Sequence, residues 1–291
     1  MGIGDFLRGI FGGDSGADIE ELARRLGTPS DALRSMEVSY KSFSIPKRSG
    51  GTRSIKAPAA PLKQLQKRIL KRLLGRLKAH PAATGFERRK SIVTNARAHA
   101  RRAVVLKLDI KDFFQATDAR RIRAYFRKIG WNRQAAELLT KLTTFNGGLP
   151  QGAPTSPRLS NLVNFLLDAR LAALAARLGA AYTRYADDIT FSFPKDDPSV
   201  VRTAVRLAKL IIEDEGYALH MKKKLHVARR HKRQVVTGLV VNSRPQLPRE
   251  TRRWLRAVEH HAKTGKPLSL SEGELAGWRA LASMVARQAG G

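Results

Sequence analysis

Apolar positions recur every three or four residues over some stretches of the chain and alternate over others, which predicts a mixture of helices and strands. Ile19, Leu22 and Leu26 repeat at helical spacing and Gly27 supplies a stop, while Thr28 or Ser30 is placed to cap a second short helix through Met36. Tyr40 to Ile55 reads as a β-hairpin turning at Arg48-Ser49-Gly50-Gly51. Leu62 to Leu77 predicts an amphipathic helix, with Leu62, Leu65, Ile69, Leu73 and Leu77 on one face and Lys63, Lys67, Lys71, Arg72 and Arg76 on the rest. Val104–Ile110 suits a buried strand, and Thr117 or Asp118 caps a helix that Gly130 ends. Asn161 to Leu178 reads as one long helix, Tyr182 to Phe193 as a second hairpin around an acidic turn, and Val200 to Glu215 as a helix. Gln234–Val241 reads as a strand, and from Pro248 onward two Arg-rich helices are anchored by Trp254 and Trp278. Strands alternate with helices, so the expected class is α+β, with helices covering one face of a mostly antiparallel sheet.

Charge changes the picture most. Lys and Arg number 55 against 24 Asp and Glu, a formal net charge of +31 over 291 residues. Such an excess repels itself in a compact fold, and a polyanionic partner offsets it, nucleic acid first and a membrane surface second. The basic residues of Leu62–Leu77 are then a phosphate-tracking surface rather than a merely solvated face. There is no cysteine, which excludes disulfides and thiolate metal sites, and the seven histidines form no zinc spacing. Met1–Gly13 carries Phe6, Ile10 and Phe11 but also Asp5 and Arg8, so no secretory apolar core is expected there. The apolar run Leu162–Tyr182 is broken by Asp168, Arg170 and Arg177, which argues against a membrane span. The expectation is a soluble, cytoplasmic protein.

Three carboxylates stand out by position. Asp109 ends the strand "VVLKLDI", and Asp187 and Asp188 occupy the turn of "YTRYADDITFSF". A lone Asp-Asp turn is most often a plain turn, because Asp bonds its own backbone. Together the three form an open acidic set of the kind that holds two Mg²⁺ ions for nucleotidyl transfer.

The resemblance to a known family then becomes specific. "YADD" (Tyr185–Asp188) and "LDIKDFF" (Leu108–Phe114) resemble the catalytic motifs of reverse transcriptases. "GLPQGAPTSPRLSNL" (Gly148–Leu162) is similar to the motif between them, and "IPKRSGGTRSIKAP" (Ile45–Pro58) to the family's fingers hairpin. "NARAH" (Asn95–His99) and "VTGLVVN" (Val236–Asn242) resemble elements of the retron branch. The motifs fall in the family's order from about Tyr40 onward.

The resemblance implies a right-hand polymerase: an N-terminal helical extension over 1–38, fingers over 39–103, and a palm with an antiparallel sheet over 104–242. It adds a fingers segment near 119–147 and a small helical thumb over 243–291. It implies Asp109, Asp187 and Asp188 as ligands of two Mg²⁺ ions, and Phe114 as the aromatic gate that excludes a ribose 2′-hydroxyl. Ordinary core is the plainer reading of Phe114, and a structural cap that of Asp112. Gln151 and Gly152 are implied in shaping the nucleotide pocket, and Lys47 and Arg53 in binding the triphosphate. Lys223 is implied as the acid for the leaving pyrophosphate, with Lys222 and Lys224 beside it as alternatives; His220 stands where the family usually has Asn. Asn95, His99, Val236, Thr237 and Gly238 resemble elements that recognise the cognate RNA.

The implied activity is RNA-directed DNA synthesis from deoxynucleoside triphosphates on a structured non-coding RNA. Priming from an RNA 2′-hydroxyl would give a branched RNA–DNA product (msDNA). An effector protein, often in antiviral defence, is the implied partner. Rival readings are a group II intron-like, CRISPR-associated or diversity-generating reverse transcriptase, a non-catalytic RNA-binding protein with a polymerase shell, and a helix-turn-helix regulator built on "ELARRLGTPSDALRSM" (Glu21–Met36). The last lacks a recognition helix, because Tyr40–Ile45 reads as a strand.

Overall fold

The structure, a computed structural model, describes residues 15–46, 50–220, 225–265, 267 and 269–290. In chain order its elements are α1 (Ile19–Leu26), α2 (Ser30–Arg34), β1 (Tyr40–Pro46), β2 (Thr52–Pro58), α3 (Ala60–Ile69) and a π-helical turn Leu70–Leu74. There follow α4 (Ile92–Arg97), β3 (Val104–Asp109), α5 (Phe113–Ala116), α6 (Ala119–Lys128), α7 (Arg133–Thr143), α8 (Ser156–Val163) and α9 (Phe165–Arg177). The last are β4 (Ala181–Tyr185), β5 (Asp188–Phe193), α10 (Pro198–Asp214), β6 (His226–Arg229), β7 (Val235–Val236), β8 (Leu239–Val240), α11 (Arg249–Lys263) and α12 (Glu272–Gly290). Two compact units result, one of residues 1–80 and 112–166, the other of 81–111 and 167–291.

The first unit is mainly helical. Asp18 caps α1 by accepting from the Glu21 amide at 2.9 Å, and Gly27 ends it in the left-handed region. Neither Thr28 nor Ser30 caps α2, contrary to expectation: Pro29 holds the cap position without a side-chain bond, and Thr28 Oγ1 instead accepts from Arg68. Strands β1 and β2 pair antiparallel from Tyr40 opposite Pro58 to Pro46 opposite Thr52. The predicted Leu62–Leu77 helix is α-helical only to Ile69 and then widens into the π-helical turn. Buried Leu22, Leu26, Leu62, Ile69, Phe126 and Leu139 belong to one core. Gln66 is buried among them because its amide donates to Tyr40 Oη and to the Leu142 carbonyl, both at 2.8 Å.

The second unit carries a four-stranded antiparallel sheet in the order β4-β5-β3-β6. The antiparallel sheet expected from the sequence is therefore present. The predicted strand Gln234–Val241 is instead a miniature hairpin of β7 and β8, because Thr237 and Gly238 both take positive φ and reverse the chain. It packs with α4 and α12 around Val93, Val105, Val236 and Val285. Helices α11 and α12 meet over Leu255, Val258 and Leu275, with Trp254 edge-on to Trp278 at 5.1 Å between centroids.

The long helix expected over Asn161–Leu178 is two helices. The Asn164 side chain donates to the Ser160 carbonyl at 2.8 Å and so replaces the bond that would have continued α8. Among the described residues no single helix is long and apolar enough to cross a membrane, although α8 and α9 taken together reach that length and composition.

Candidate active site

The site begins with strand register. Val104, Leu106 and Leu108 of β3 are buried, which leaves the alternate positions Lys107 and Asp109 on the more accessible side. Asp109 pairs directly with Asp188, the first residue of β5, and Tyr185 ends β4 opposite the same Asp188. Asp187 therefore sits in a two-residue turn beside the end of β3, where its carbonyl accepts from the Ile110 amide at 3.0 Å. Three acidic residues from two distant stretches meet at the end of the two central strands of the sheet.

Crowding by protein pushes the Asp188 carboxyl above its ordinary pKa; the Lys107 ammonium opposes this, and the charges of Asp187 and Asp109 add to it. Lys107 Nζ lies 2.7 Å from Asp188 Oδ2 and stands where a cation would neutralise the cluster. His220 donates its backbone amide to the Asp109 carbonyl at 2.9 Å, and its Nε2 lies 3.9 Å from Asp109 Oδ1. Among the described residues no group of three or more His, Asp or Glu side chains is placed to hold a metal ion, so the three carboxylates are neighbours in register without forming a closed site.

The turn is held from beneath. Ala186 has φ of 56°, a conformation that favours glycine, and its carbonyl accepts from Arg184 Nη1 at 3.1 Å. Arg184 is completely buried and forks onto Asp168, with Nε to Oδ1 at 2.7 Å and Nη2 to Oδ2 at 2.6 Å. Tyr182 donates its hydroxyl to the same Asp168 Oδ1 at 2.7 Å. From the other side residues 82–85 run along the turn: Thr84 donates its amide to the Arg184 carbonyl at 2.8 Å, and Arg184 donates to Ala82 at 2.9 Å. A methyl group on Gly85 would come within 2.9 Å of the Ala186 amide nitrogen, so only glycine lets the strap lie this close.

Comparison with known proteins is decisive at this point. Residues 45–252 match the family described as reverse transcriptase (RNA-dependent DNA polymerase). The retron Mx65 reverse transcriptase of Myxococcus xanthus is 38% identical over 91% of this chain and 68% of its own length. The chain belongs to the retron reverse transcriptases. The retron Mx162 reverse transcriptase of the same organism is 41% identical over 85% of this chain but only 59% of its own length, so the chain spans about three-fifths of that relative. Telomerase from Candida albicans, solved in complex with a fragment of telomeric RNA, superposes with a TM-score of 0.51 at 12% identity. That superposition covers 79% of this chain and 49% of the telomerase chain, and it bears on the fold alone: a right-hand polymerase.

The remaining residues singled out by the retron motifs are placed as follows. Arg53, Phe114, Gln151 and Gly152 belong to the first unit, and the three carboxylates to the second. Lys47 and Lys223 lie outside the described residues. Arg53 is exposed near the hairpin end of β2. Phe114 is half-buried against the core, 5.6 Å from the Phe113 ring. Asp112 takes the N-cap position of α5 with φ of 47° but makes no capping bond through its side chain, so it is not the cap expected. The Gln151 carbonyl accepts from the Lys56 amide at 2.8 Å. At Gly152, φ is 126° and an added Cβ would meet Ile55 at 2.8 Å and the Lys56 carbonyl at 2.9 Å. The close approach that requires glycine here is thus to strand β2. Gly152→Ala is expected to destabilise the protein by about 1–3 kcal/mol through strain and displacement of this loop, measured by urea unfolding.

Asn95 and His99 are buried, with 1% and 0% of their surface exposed, so neither side chain can touch RNA directly. The Thr84 hydroxyl links the Asn95 amide to the Arg184 carbonyl. His99 is clamped between the Ser192 and Thr183 hydroxyls, each at 2.7 Å. Thr237 donates its hydroxyl to the Ile92 carbonyl at 2.9 Å, and Val236 is fully buried, with Gly238 completing the turn. These five residues join α4 and the β7–β8 hairpin to the sheet.

Burial, with the Arg102 charge, drives the His99 pKa down to about 3. The unfolded histidine takes up its proton near pH 6.5, so between that pH and 3 only the unfolded state is protonated there and stability is lost as pH falls. At pH 5 the loss is expected to be about 2 kcal/mol, at roughly 1.4 kcal/mol per pH unit. Urea midpoints across this window should show it, and His99→Gln should flatten the profile.

Sequence reasoning missed Arg184, Lys107 and the 82–85 strap, and used Asp168 only as a break in an apolar run. The available signal was that pairing: an acid inside an apolar helix and an Arg inside an apolar strand each require a buried partner.

Proposed function

We propose that the chain is an RNA-directed DNA polymerase that copies part of a bound structured RNA into DNA. The observation that carries this reading is the direct pairing of Asp109 with Asp188 beside Asp187, at the end of the two central strands of an antiparallel sheet. Asp109, Asp187 and Asp188 would hold two Mg²⁺ ions, which supply a more acidic attacking hydroxyl and charge neutralisation at the departing pyrophosphate. The chain's own residues then position the reactants. Arg53 and Lys47 bind the triphosphate, Gln151 and Gly152 shape the nucleotide site, and Phe114 excludes the 2′-hydroxyl. A 3′-hydroxyl gives up its proton to solvent and attacks the α-phosphorus, the bond to pyrophosphate breaks, and Lys223 delivers a proton to that leaving group.

The domain reading follows the family: a helical extension over 1–38, fingers over 39–103, palm over 104–242 with a fingers segment near 119–147, and thumb over 243–291. In this reading the first hydroxyl is a ribose 2′-OH of the template RNA, so the product is branched. Asn95, His99 and Val236-Thr237-Gly238 serve RNA recognition by holding their backbone and its exposed neighbours in place. The net charge of +31 supports a large RNA partner, and an effector protein is the family's implied companion. The test is to sequence the nucleic acid that co-purifies with the protein. A short DNA joined 2′–5′ to RNA is expected; DNA with a free 5′ end, or no DNA, would overturn the retron reading.

A further inference from the structure

Phe86 combines three features. Its ring is 47% exposed, so burial gives little in return for a large apolar side chain. Its φ is 62°, a left-handed conformation that bulky residues rarely adopt. Its segment is nevertheless fixed: residues 82–84 bridge to Arg184 through two backbone bonds, Gly85 lies against Ala186, and Lys90 Nζ donates to the Pro81 and Ala83 carbonyls. An unfavourable backbone conformation kept on an anchored segment, with an apolar ring facing solvent, points to something outside the fold.

The ring's neighbour says where. Phe86 packs on Tyr185 with centroids 5.9 Å apart, and Tyr185 pairs with Asp188. The two rings therefore form an aromatic ledge continuous with the carboxylate turn, all within one unit. Arg88 and Arg89 follow at once and are exposed. An aromatic face flanked by guanidinium groups is the surface that stacks nucleobases and holds their phosphates. Charge favours nucleic acid over a protein partner, since the chain carries +31.

We propose that Phe86, on its ledge with Tyr185, is a nucleic-acid contact that stacks against a nucleotide of the template–primer duplex beside the catalytic turn, with Arg88 and Arg89 on the adjoining phosphates. This inference rests on the polymerase reading above. Its distinctive consequence is an opposition between stability and binding. Glycine is at ease at φ of 62°, so Phe86→Gly relieves the fold while removing the contact.

The experiment compares wild type, Phe86→Gly and Phe86→Trp by thermal unfolding, by anisotropy with a fluorescent RNA–DNA primer–template, and by KM for the incoming nucleotide. Expected for Phe86→Gly are a Tm equal to or above wild type, a Kd for the duplex weakened about tenfold, and a nucleotide KM within about twofold. Phe86→Trp should keep the wild-type Kd. The inference is overturned if Phe86→Gly binds the duplex as tightly as wild type. It is equally overturned if Tm falls together with affinity and Phe86→Trp restores neither, because the residue is then part of the core. If the wild type extends this primer while Phe86→Gly binds normally, the inference alone fails; if the wild type neither binds nor extends it, the polymerase reading fails as well.

Discussion

Asp187→Asn and Asp188→Asn, each made alone, are expected to slow nucleotide incorporation by at least about a thousandfold while leaving the protein folded. The size follows from charge: an amide cannot neutralise a bound cation, and several kcal/mol of lost stabilisation at about 1.4 kcal/mol per tenfold gives this range. The folded state should survive because the native cluster is under electrostatic stress. The Asp188 carboxyl is pushed above its ordinary pKa by crowding and by the charges of Asp187 and Asp109, so removing one negative charge relieves repulsion. Single-turnover primer extension and thermal unfolding, run on the same preparations, separate the two effects. A Tm at or above wild type with extension lost is the expected pattern. Loss of fold along with activity would mean that these acids are structural.

Arg184→Met shows the opposite balance. It should destabilise the protein by about 3–5 kcal/mol, because Asp168 is left charged, buried and without its fork. The Tyr182 hydroxyl remains on Asp168 but carries no charge to replace the guanidinium. The double variant Asp168→Leu/Arg184→Met should recover much of that loss, since a matched apolar pair needs no compensation. It should not recover activity, because the bond from Arg184 to the Ala186 carbonyl is gone and the strained turn bearing Asp187 is no longer held. Denaturant unfolding of the two single variants and the double variant, with extension rates beside them, gives the coupling. If the double variant were fully active, the buried pair would have no part in positioning the turn.

Much of this arrangement is legible along the chain, and the exceptions have identifiable causes. Composition locates the strand of Asp109, a Val- and Leu-rich run, and the apolar Ile189, Phe191 and Phe193 locate the hairpin of Asp187-Asp188, although the fold buries both faces of β5 beyond Asp188. It does not show that α8 ends at Asn164, since a side chain takes the Ser160 carbonyl and leaves the apolar pattern unbroken. Nor does it show that Thr237 and Gly238 reverse the chain within an apolar run, because a non-glycine residue at positive φ leaves no compositional mark. At Gly152 the need for glycine is visible, but its reason, the nearness of Ile55 and Lys56, is tertiary. The resemblance of "NARAH" to the retron motif implies RNA recognition by Asn95 and His99, yet hydrogen bonding to Thr84, Ser192 and Thr183 keeps both side chains inside. Residues that support a site from beneath announce themselves only through the partners they find.

The most direct measurement is calorimetric titration of Mg²⁺ into the protein bound to a dideoxy-terminated RNA–DNA primer–template and an incoming nucleotide. Wild type should take up two ions per chain at the active site, and the triple variant Asp109→Asn/Asp187→Asn/Asp188→Asn should lose both while still binding the duplex. Equal uptake by the wild type and the triple variant would contradict the assignment of these three residues as the catalytic metal site.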